Sequence, residues 1–290
     1  MRNGVINLWK PVGITSHDAV RQVRHVTGWT RVGHAGTLDP GAEGVLPVAV
    51  GSATRLLPYL VLTPKVYTGY VQVGTMTSTG DAQGRIVGRS RPWVPSLEQL
   101  TWAARFLEGS VWQVPPQVSA LKVRGERHYA AVRRGVSVWP APRLVRILSI
   151  AEIVAEREGW QFQASVGSGV YIRALVRDWG TLLGVATHLR ELRRIRVGCF
   201  DGESSVSLHQ LEQAHENWGD FVQPWHACLA MERQELDPMN VARVVHGDTR
   251  ILAQLTPHDG RMLALEYQGR LYAIVAESGR QYRVVFEEGI

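Results

Sequence analysis

Cysteine is nearly missing from this chain: Cys199 and Cys228 are the only two in 290 residues. They lie far apart without a Cys-x-x-Cys spacing, which excludes a disulfide framework and a cysteine-based zinc site and leaves two buried free thiols as the expectation. Long apolar runs are missing too. No segment approaches the ~18 consecutive apolar residues of a membrane-spanning helix. The N-terminus runs from Met1 straight into the strand-like Gly4-Val5-Ile6-Asn7-Leu8-Trp9, without the apolar core of a secretion signal. A cytoplasmic protein with no membrane partner is expected. Repeats and low-complexity tracts are lacking, as are nucleotide-cradling glycine motifs and His, Cys, Asp or Glu clusters at ligand spacing, so neither metal nor organic cofactor is expected. Lysine is scarce, with 29 of the 32 basic residues being arginine.

What is present begins with an ordinary globular composition, 45% hydrophobic, in a chain long enough for one large or two smaller domains. The net charge is +6, and its placement says more than its size. Lys122, Arg124, Arg127, Arg133, Arg134, Arg143 and Arg146 stand against the single acid Glu126 between positions 122 and 146. A cationic segment on an otherwise balanced chain is the footprint expected for a polyanion partner, because neutralised phosphates release counterions. Arginine's planar fork suits phosphate. The alternative is a solvated basic helix without a partner.

The glycine-rich stretch from Gly33 to Leu46 holds a lone Asp39 between Leu38 and Pro40. Four glycines and a proline argue against a regular helix or a central strand and for a shaped loop. On residue types alone it reads as an Asp-Pro turn with close glycine packing, or as a loop that aims a carboxylate. Gly33-His34-Ala35-Gly36-Thr37-Leu38-Asp39-Pro40, followed by Gly44, Val45, Leu46 and Pro47, resembles the signature loop of the TruB-type pseudouridine synthases. That resemblance makes Asp39 the expected nucleophile and His34 the residue expected to fill the space left by a flipped base.

Other segments carry the same resemblance in family order. Val5 to Trp9 reads as a strand, and Lys10-Pro11-Val12-Gly13-Ile14-Thr15-Ser16 as a turn delivering a cap to a helix that Gly28 stops. The resemblance places Lys10 near the active site. Gly44 to Gly51 reads as a buried strand, and Ser52 as the cap of a short helix. From Lys65 to Gly74, alternation puts Tyr67, Val71 and Val73 on one face. Such a tyrosine is ordinarily core, and the resemblance makes it the aromatic residue that packs on the target base and acts as a general base. The polar stretch from Thr75 to Gly84 reads as a hairpin loop. Ser96 caps a helix containing Leu97, Leu100, Ala104 and Leu107.

Arg127 to Gly135 reads as one short helix inside an inserted hairpin, strand structure resumes at Leu144 to Ile147, and further strands are expected at 150–155 and 160–166. In the resembled family this insertion, about 122–146, is a thumb that grips RNA through residues such as Lys122, Arg124, Arg127, Arg133 and Arg134. A glycine turn then feeds a helix with Arg173 and Arg177 on one face. Tyr171-Ile172-Arg173 matches the segment whose arginine pairs with the catalytic aspartate and whose tyrosine lines the uracil pocket. Leu192, before paired arginines, matches the leucine that contacts the base. Ser207 to Glu216 reads as an amphipathic helix. Beyond Asp237-Pro238, alternating runs at 261–267, 271–276 and 282–286 read as a small β-rich domain.

The resemblance thus implies an α+β fold. A catalytic domain (1–237) has a mixed, largely antiparallel sheet with flanking helices and a thumb, and a small β-barrel-like PUA domain (238–290) follows. The implied activity is isomerisation of uridine 55 in the T-loop of tRNA, with the acceptor end touching the PUA domain, no obligatory protein partner and a monomeric state. Two rivals remain at this point: a non-catalytic tRNA-folding chaperone, and an RNA-guided subunit of the dyskerin kind.

Overall fold

The computed structural model describes residues 3–116, 140–223, 229–257, 261–276 and 286, with the backbone alone of 122–123, 126–127 and 284–285. In chain order its strands are β1 (Gly4–Lys10), β2 (Val32–His34), β3 (Ala42–Val50), β4 (Lys65–Val73), β5 (Thr75–Thr77), β6 (Ile86–Arg89), β7 (Gly109–Gln113), β8 (Lys122–Val123), β9 (Glu126–Arg127) and β10 (Arg143–Glu156). They continue as β11 (Gly159–Val166), β12 (Thr187–Val197), β13 (Phe200–Asp201), β14 (Val206–Ser207), β15 (Val222–Gln223), β16 (Glu232–Glu235), β17 (Met262–Tyr267), β18 (Arg270–Ala276) and β19 (Val284–Val285).

One large sheet runs in the order β14-β1-β3-β12-β4-β11-β10-β7, with β2, β13 and β15 attached to its flank. Only β1 with β14 and β3 with β12 pair in parallel there, so the sheet is mixed and largely antiparallel. β1 reads as an almost unbroken apolar run because both its faces are covered. Ile6 and Leu8 pack with Ala19, Val20 and Val23 of the Ser16–Thr27 helix, while Val5 points the other way towards Ala264, Leu271 and Ile274 of the C-terminal sheet. Further along, Tyr67, Val71 and Val73 of β4 lie against the helices Leu97–Leu107 and Ile172–Leu183, with Trp160 and Trp179 in edge contact at 5.3 Å between rings. The expected face of β4 is the one that is buried.

Caps explain where the helices begin. Thr15 and Asp18 form a reciprocal box ahead of Ser16, Gly28 closes that helix at φ 69°, and Ser96 pairs with Gln99 at the next. Among the described residues no helix is long and apolar enough to cross a membrane.

The structure departs from the sequence reading in several places. The segment 33–46 is not all loop: His34 ends β2, and β3, a central strand, starts at Ala42. Gly44 does not break that strand. It has φ 122°, and a Cβ there would sit 2.1 Å from the carbonyl oxygen of Arg194, so glycine is what lets β12 approach β3. Ser52 does not cap the 3-10 turn Gly51–Tyr59: it lies inside the turn, the cap position is Val50, which has no side-chain acceptor, and the Ser52 amide donates to Asn3 Oδ1. The two strands expected at 144–147 and 150–155 are one strand, β10, whose register shifts accommodate the break. Arg127 belongs to a two-residue ladder between β8 and β9 rather than to a helix. The rest of the expected thumb helix, with Arg124, Arg133 and Arg134, lies outside the described residues. Cys199 is exposed in the tight turn after β12, and Cys228 is likewise outside them.

The C-terminal sheet, β16-β17-β18-β19, is open among the described residues, which corrects the barrel-like expectation: β16 and β19 are its two edges and do not meet. It includes Glu232–Glu235, which precede Asp237, and it carries two helices, Pro238–Val245 and Thr249–Leu255, that alternation did not indicate. Asp237-Pro238 is a helix start, with the Asp237 side chain accepting from the Asn240 amide at 2.8 Å and Pro238 in the first turn.

Candidate active site

Between β2 and β3 the chain makes the short loop that carries Asp39, and two side chains and one backbone amide from three other parts of the chain hold it. Ser16, at the start of its helix, accepts from the Leu38 amide at 2.8 Å and donates to the Leu38 carbonyl at 3.0 Å. The Gly13 amide donates to the Pro40 carbonyl at 2.8 Å. From β12, the Arg194 guanidinium donates to the carbonyls of Val45 at 2.9 Å, Thr37 at 3.2 Å and Gly36 at 3.0 Å. Arg194 is only 1% exposed. A buried cation met by three carbonyl dipoles is desolvated at tolerable cost, and each bond removes a freedom from the loop.

Asp39 itself is half-buried, and Arg173 Nε lies 2.9 Å from its Oδ2. Arg173 is buried at the start of the Ile172–Leu183 helix and is gripped from behind: Nη1 donates to the Thr79 carbonyl at 2.8 Å and stands 3.4 Å from Asp81 Oδ2. Asp81 is fixed in turn by the Thr79 hydroxyl and the Gln83 amide. Thus an Asp-Arg-Asp row runs from the cleft into the wall, with its innermost carboxylate supplied by the β5–β6 hairpin. A cavity of about 320 Å³ opens beside it, lined by Asp39, Lys65, Tyr67, Tyr171, Arg173 and Leu192 among others. A second, of about 210 Å³, lies across the same pair and is lined by Asp81, Gln83 and Leu192.

Five of the residues singled out from sequence, Asp39, Tyr67, Arg173, Tyr171 and Leu192, therefore meet at one cavity. The Tyr171 amide is seated by Gln113 Oε1 at 2.8 Å. Lys10 lies near Asp39, as expected, but is fully buried, with its ammonium donating to the Pro11 and Ile14 carbonyls at 2.8 Å each, so in this structure it supports the turn behind Asp39. Burial lowers its pKa to about 8, against the opposing pull of Asp39. His34 is half-buried at the end of β2, outside both cavities, and burial, Arg194 and His17 push its pKa down. Of the basic segment, Arg143 is exposed and lines the larger cavity; Lys122 and Arg127 are described by backbone alone.

Sequence reasoning missed Asp81, Arg194 and Lys65. Asp81 sat in a polar loop whose composition signals only a turn. Arg194 stood in a run of arginines, and alternation from the buried Leu189 and Val197 would point it outward; it is buried because β12 shifts register twice, between Leu189 and Glu191 and between Arg194 and Arg196, which the sequence does not show. Lys65 was visible two residues ahead of Tyr67 but had no assigned role.

Comparison with known proteins gives the family of the chain. The sequence model of the TruB family pseudouridylate synthase N-terminal domain matches residues 24–172. That of the tRNA pseudouridylate synthase B C-terminal domain matches 173–239. The chain is 43% identical to the tRNA pseudouridine synthase B of Thermobifida fusca, over 91% of this chain and 94% of that one. It is 36% identical to the protein of the same name from Lacticaseibacillus paracasei, over 97% and 96% of the two chains. Among solved structures, a chain from a Cbf5-Nop10-Gar1 complex superposes with a TM-score of 0.70 at 24% identity, over 99% of this chain and 86% of that one, which is a likeness of fold. Matched across nearly its whole length by relatives of one name, with the pseudouridine synthase fold, the chain belongs to the TruB family of pseudouridine synthases.

Proposed function

We propose that this protein isomerises uridine to pseudouridine at position 55 in the T-loop of tRNA. The observation that carries the reading is the close pairing of Asp39 with Arg173 at the edge of a base-sized cavity walled by Tyr67 and Leu192. A uridine stacked in a folded loop has to be turned out of its stack before its glycosidic bond is accessible, and His34 is assigned the space it vacates. Asp39 starts the cleavage of the C1′–N1 bond by one of two routes. In the first its carboxylate bonds to C1′ as the electron pair leaves with uracil. In the second its carboxylate takes the C2′ proton as the C1′–N1 electron pair leaves with uracil to give a glycal, and the proton returns to C2′ when C5 bonds to C1′. Uracil then turns against Tyr67 and its C5 bonds to C1′, which in the first route releases the Asp39 carboxylate, and the C5 proton leaves by way of the tyrosine hydroxyl while N1 gains one. Nothing is oxidised or hydrolysed, so the chemistry draws on no redox or metal cofactor.

Arg173 keeps the half-buried carboxylate aimed, and the backing from Asp81 and the Thr79 carbonyl keeps Arg173 in place. The thumb, about 122–146, is assigned the grip on the T-arm, with Lys122, Arg124, Arg127, Arg133 and Arg134 as phosphate contacts. Residues 238–290 are assigned the acceptor end as a PUA-like unit. The protein is read as a stand-alone, monomeric, cytoplasmic enzyme. Incubating the purified chain with a bare T-arm stem-loop, followed by carbodiimide treatment and primer extension, should give one stop at the target uridine. No stop on this RNA, with a stop only when a guide RNA and partner proteins are added, would favour the RNA-guided alternative.

A further inference from the structure

The charges around the cleft are balanced on one side and unbalanced on the other. Asp39 is matched by Arg173, and Arg173 by Asp81. Opposite them, the Arg194 donors are taken up by three carbonyls, and the Lys65 ammonium lies beside that guanidinium: both reach within 4 Å of the place where a Cβ on Gly36 would stand. Lys65 lines the larger cavity, and its ammonium has no hydrogen-bond or ion-pair partner among the described residues. A half-buried cation without a partner is costly unless something else satisfies it.

Its position states what that something is. Lys65 and Tyr67 are two residues apart on β4, so their side chains leave the same face about 6.6 Å from each other. That span matches the breadth of a pyrimidine ring with an exocyclic oxygen, so a base held against Tyr67 and Leu192 presents its edge to Lys65. A backbone phosphate would be met sooner, by the exposed Arg143 at the rim.

Building on the function proposed above, we propose that Lys65 is a catalytic residue that donates a hydrogen bond to an exocyclic oxygen of uracil and stabilises the negative charge that develops there. When the C1′–N1 bond breaks, its electron pair passes into the uracil ring and spreads onto the carbonyl oxygens. Lys65 keeps its proton throughout, and the charge disappears when C5 bonds to C1′. The site thereby holds a fixed donor aimed at charge that exists only in the course of reaction, an arrangement that raises turnover more than affinity. Burial and the nearby Arg194 lower the pKa of Lys65, in keeping with an ammonium short of counter-charge.

The test is single-turnover pseudouridine formation at saturating T-arm RNA, with RNA affinity measured in parallel by filter binding, for wild type, Lys65→Met, Lys65→Gln and Lys65→Arg. Lys65→Met and Lys65→Gln should each lose roughly 10²–10³-fold in rate while RNA affinity stays within about threefold, and Lys65→Arg should recover part of the loss. Retained affinity also certifies that a variant is folded, and Lys65→Gln serves if the methionine variant is not. Lost affinity at an unchanged rate would make Lys65 a phosphate contact and overturn the proposal, as would unchanged rate and affinity. Wild-type protein that binds the RNA and forms no pseudouridine would remove the proposed function, and this role with it.

Discussion

Asp39 projects from a loop bonded to the first helix through Ser16, to the preceding turn through Gly13 and to β12 through Arg194. Its partner Arg173 is anchored independently of that loop, so the separation of the two charges is set by separately fixed pieces of backbone. Arg173→Ala should lower single-turnover rate by at least ~10²-fold with little change in RNA binding, and an unchanged rate would remove the arginine from the mechanism. Lys10 makes a different prediction. Its folded pKa of about 8 lies below the ordinary lysine value of 10.5, so between those pH values the unfolded chain holds the proton and the folded chain has released it. Stability contributed at this site therefore rises with pH across that window. Denaturant melts of wild type against Lys10→Met from pH 7 to 10 should show wild type gaining on the variant, and parallel curves would contradict the burial of that ammonium. Sequence motifs singled out Asp39, Tyr67 and Arg173, which meet at one cavity. They could not tell a buried lysine from a solvated one, because a Lys-Pro turn looks the same whether its ammonium meets carbonyls or water.

Helix starts, the β4 face and the glycine stops could be read locally because each is decided within a few residues, as the Thr15–Asp18 and Ser96–Gln99 boxes illustrate. β3 was expected from Gly44 and starts at Ala42, but the role of that glycine could not be read locally. Gly44 counts against a strand in any local scale, and its purpose appears only when Arg194, 150 positions later in the chain, comes against it in the sheet. The helices after Asp237 were missed because a Pro-containing cap resembles a boundary. Gly44→Ala tests the close approach: the added methyl has no space against the Arg194 backbone at a φ that disfavours any side chain. The variant should lose ~2–4 kcal/mol in urea denaturation and lose turnover with it, since the displaced strand carries Arg194. Wild-type stability would show that β3 and β12 are not this close.

At the level of the whole molecule, the two sheets share an apolar contact in which Val5, Val45, Ala49 and Phe200 meet Ala264, Leu271, Ile274 and Phe286. Nothing in the sequence pairs these positions, which lie at opposite ends of the chain, so the packing of the C-terminal sheet was illegible although its strands were not. Charge, by contrast, was legible as a distribution. The excess concentrates at 122–146, and Arg143, at the start of β10, stands at the cavity. If the segment grips phosphates, Arg133→Ala with Arg134→Ala should weaken T-arm binding and reduce the slope of log affinity against log salt by about 2. An unchanged slope would show that these arginines do not contact the backbone of the RNA.

The central claim is that one carboxylate begins the reaction, and Asp39→Asn tests it with hardly any change of shape. Tritium release from 5-labelled uridine in T-arm RNA, measured alongside RNA binding, should fall to background while binding persists. Release at the wild-type rate by a variant verified as free of wild-type protein would contradict the account.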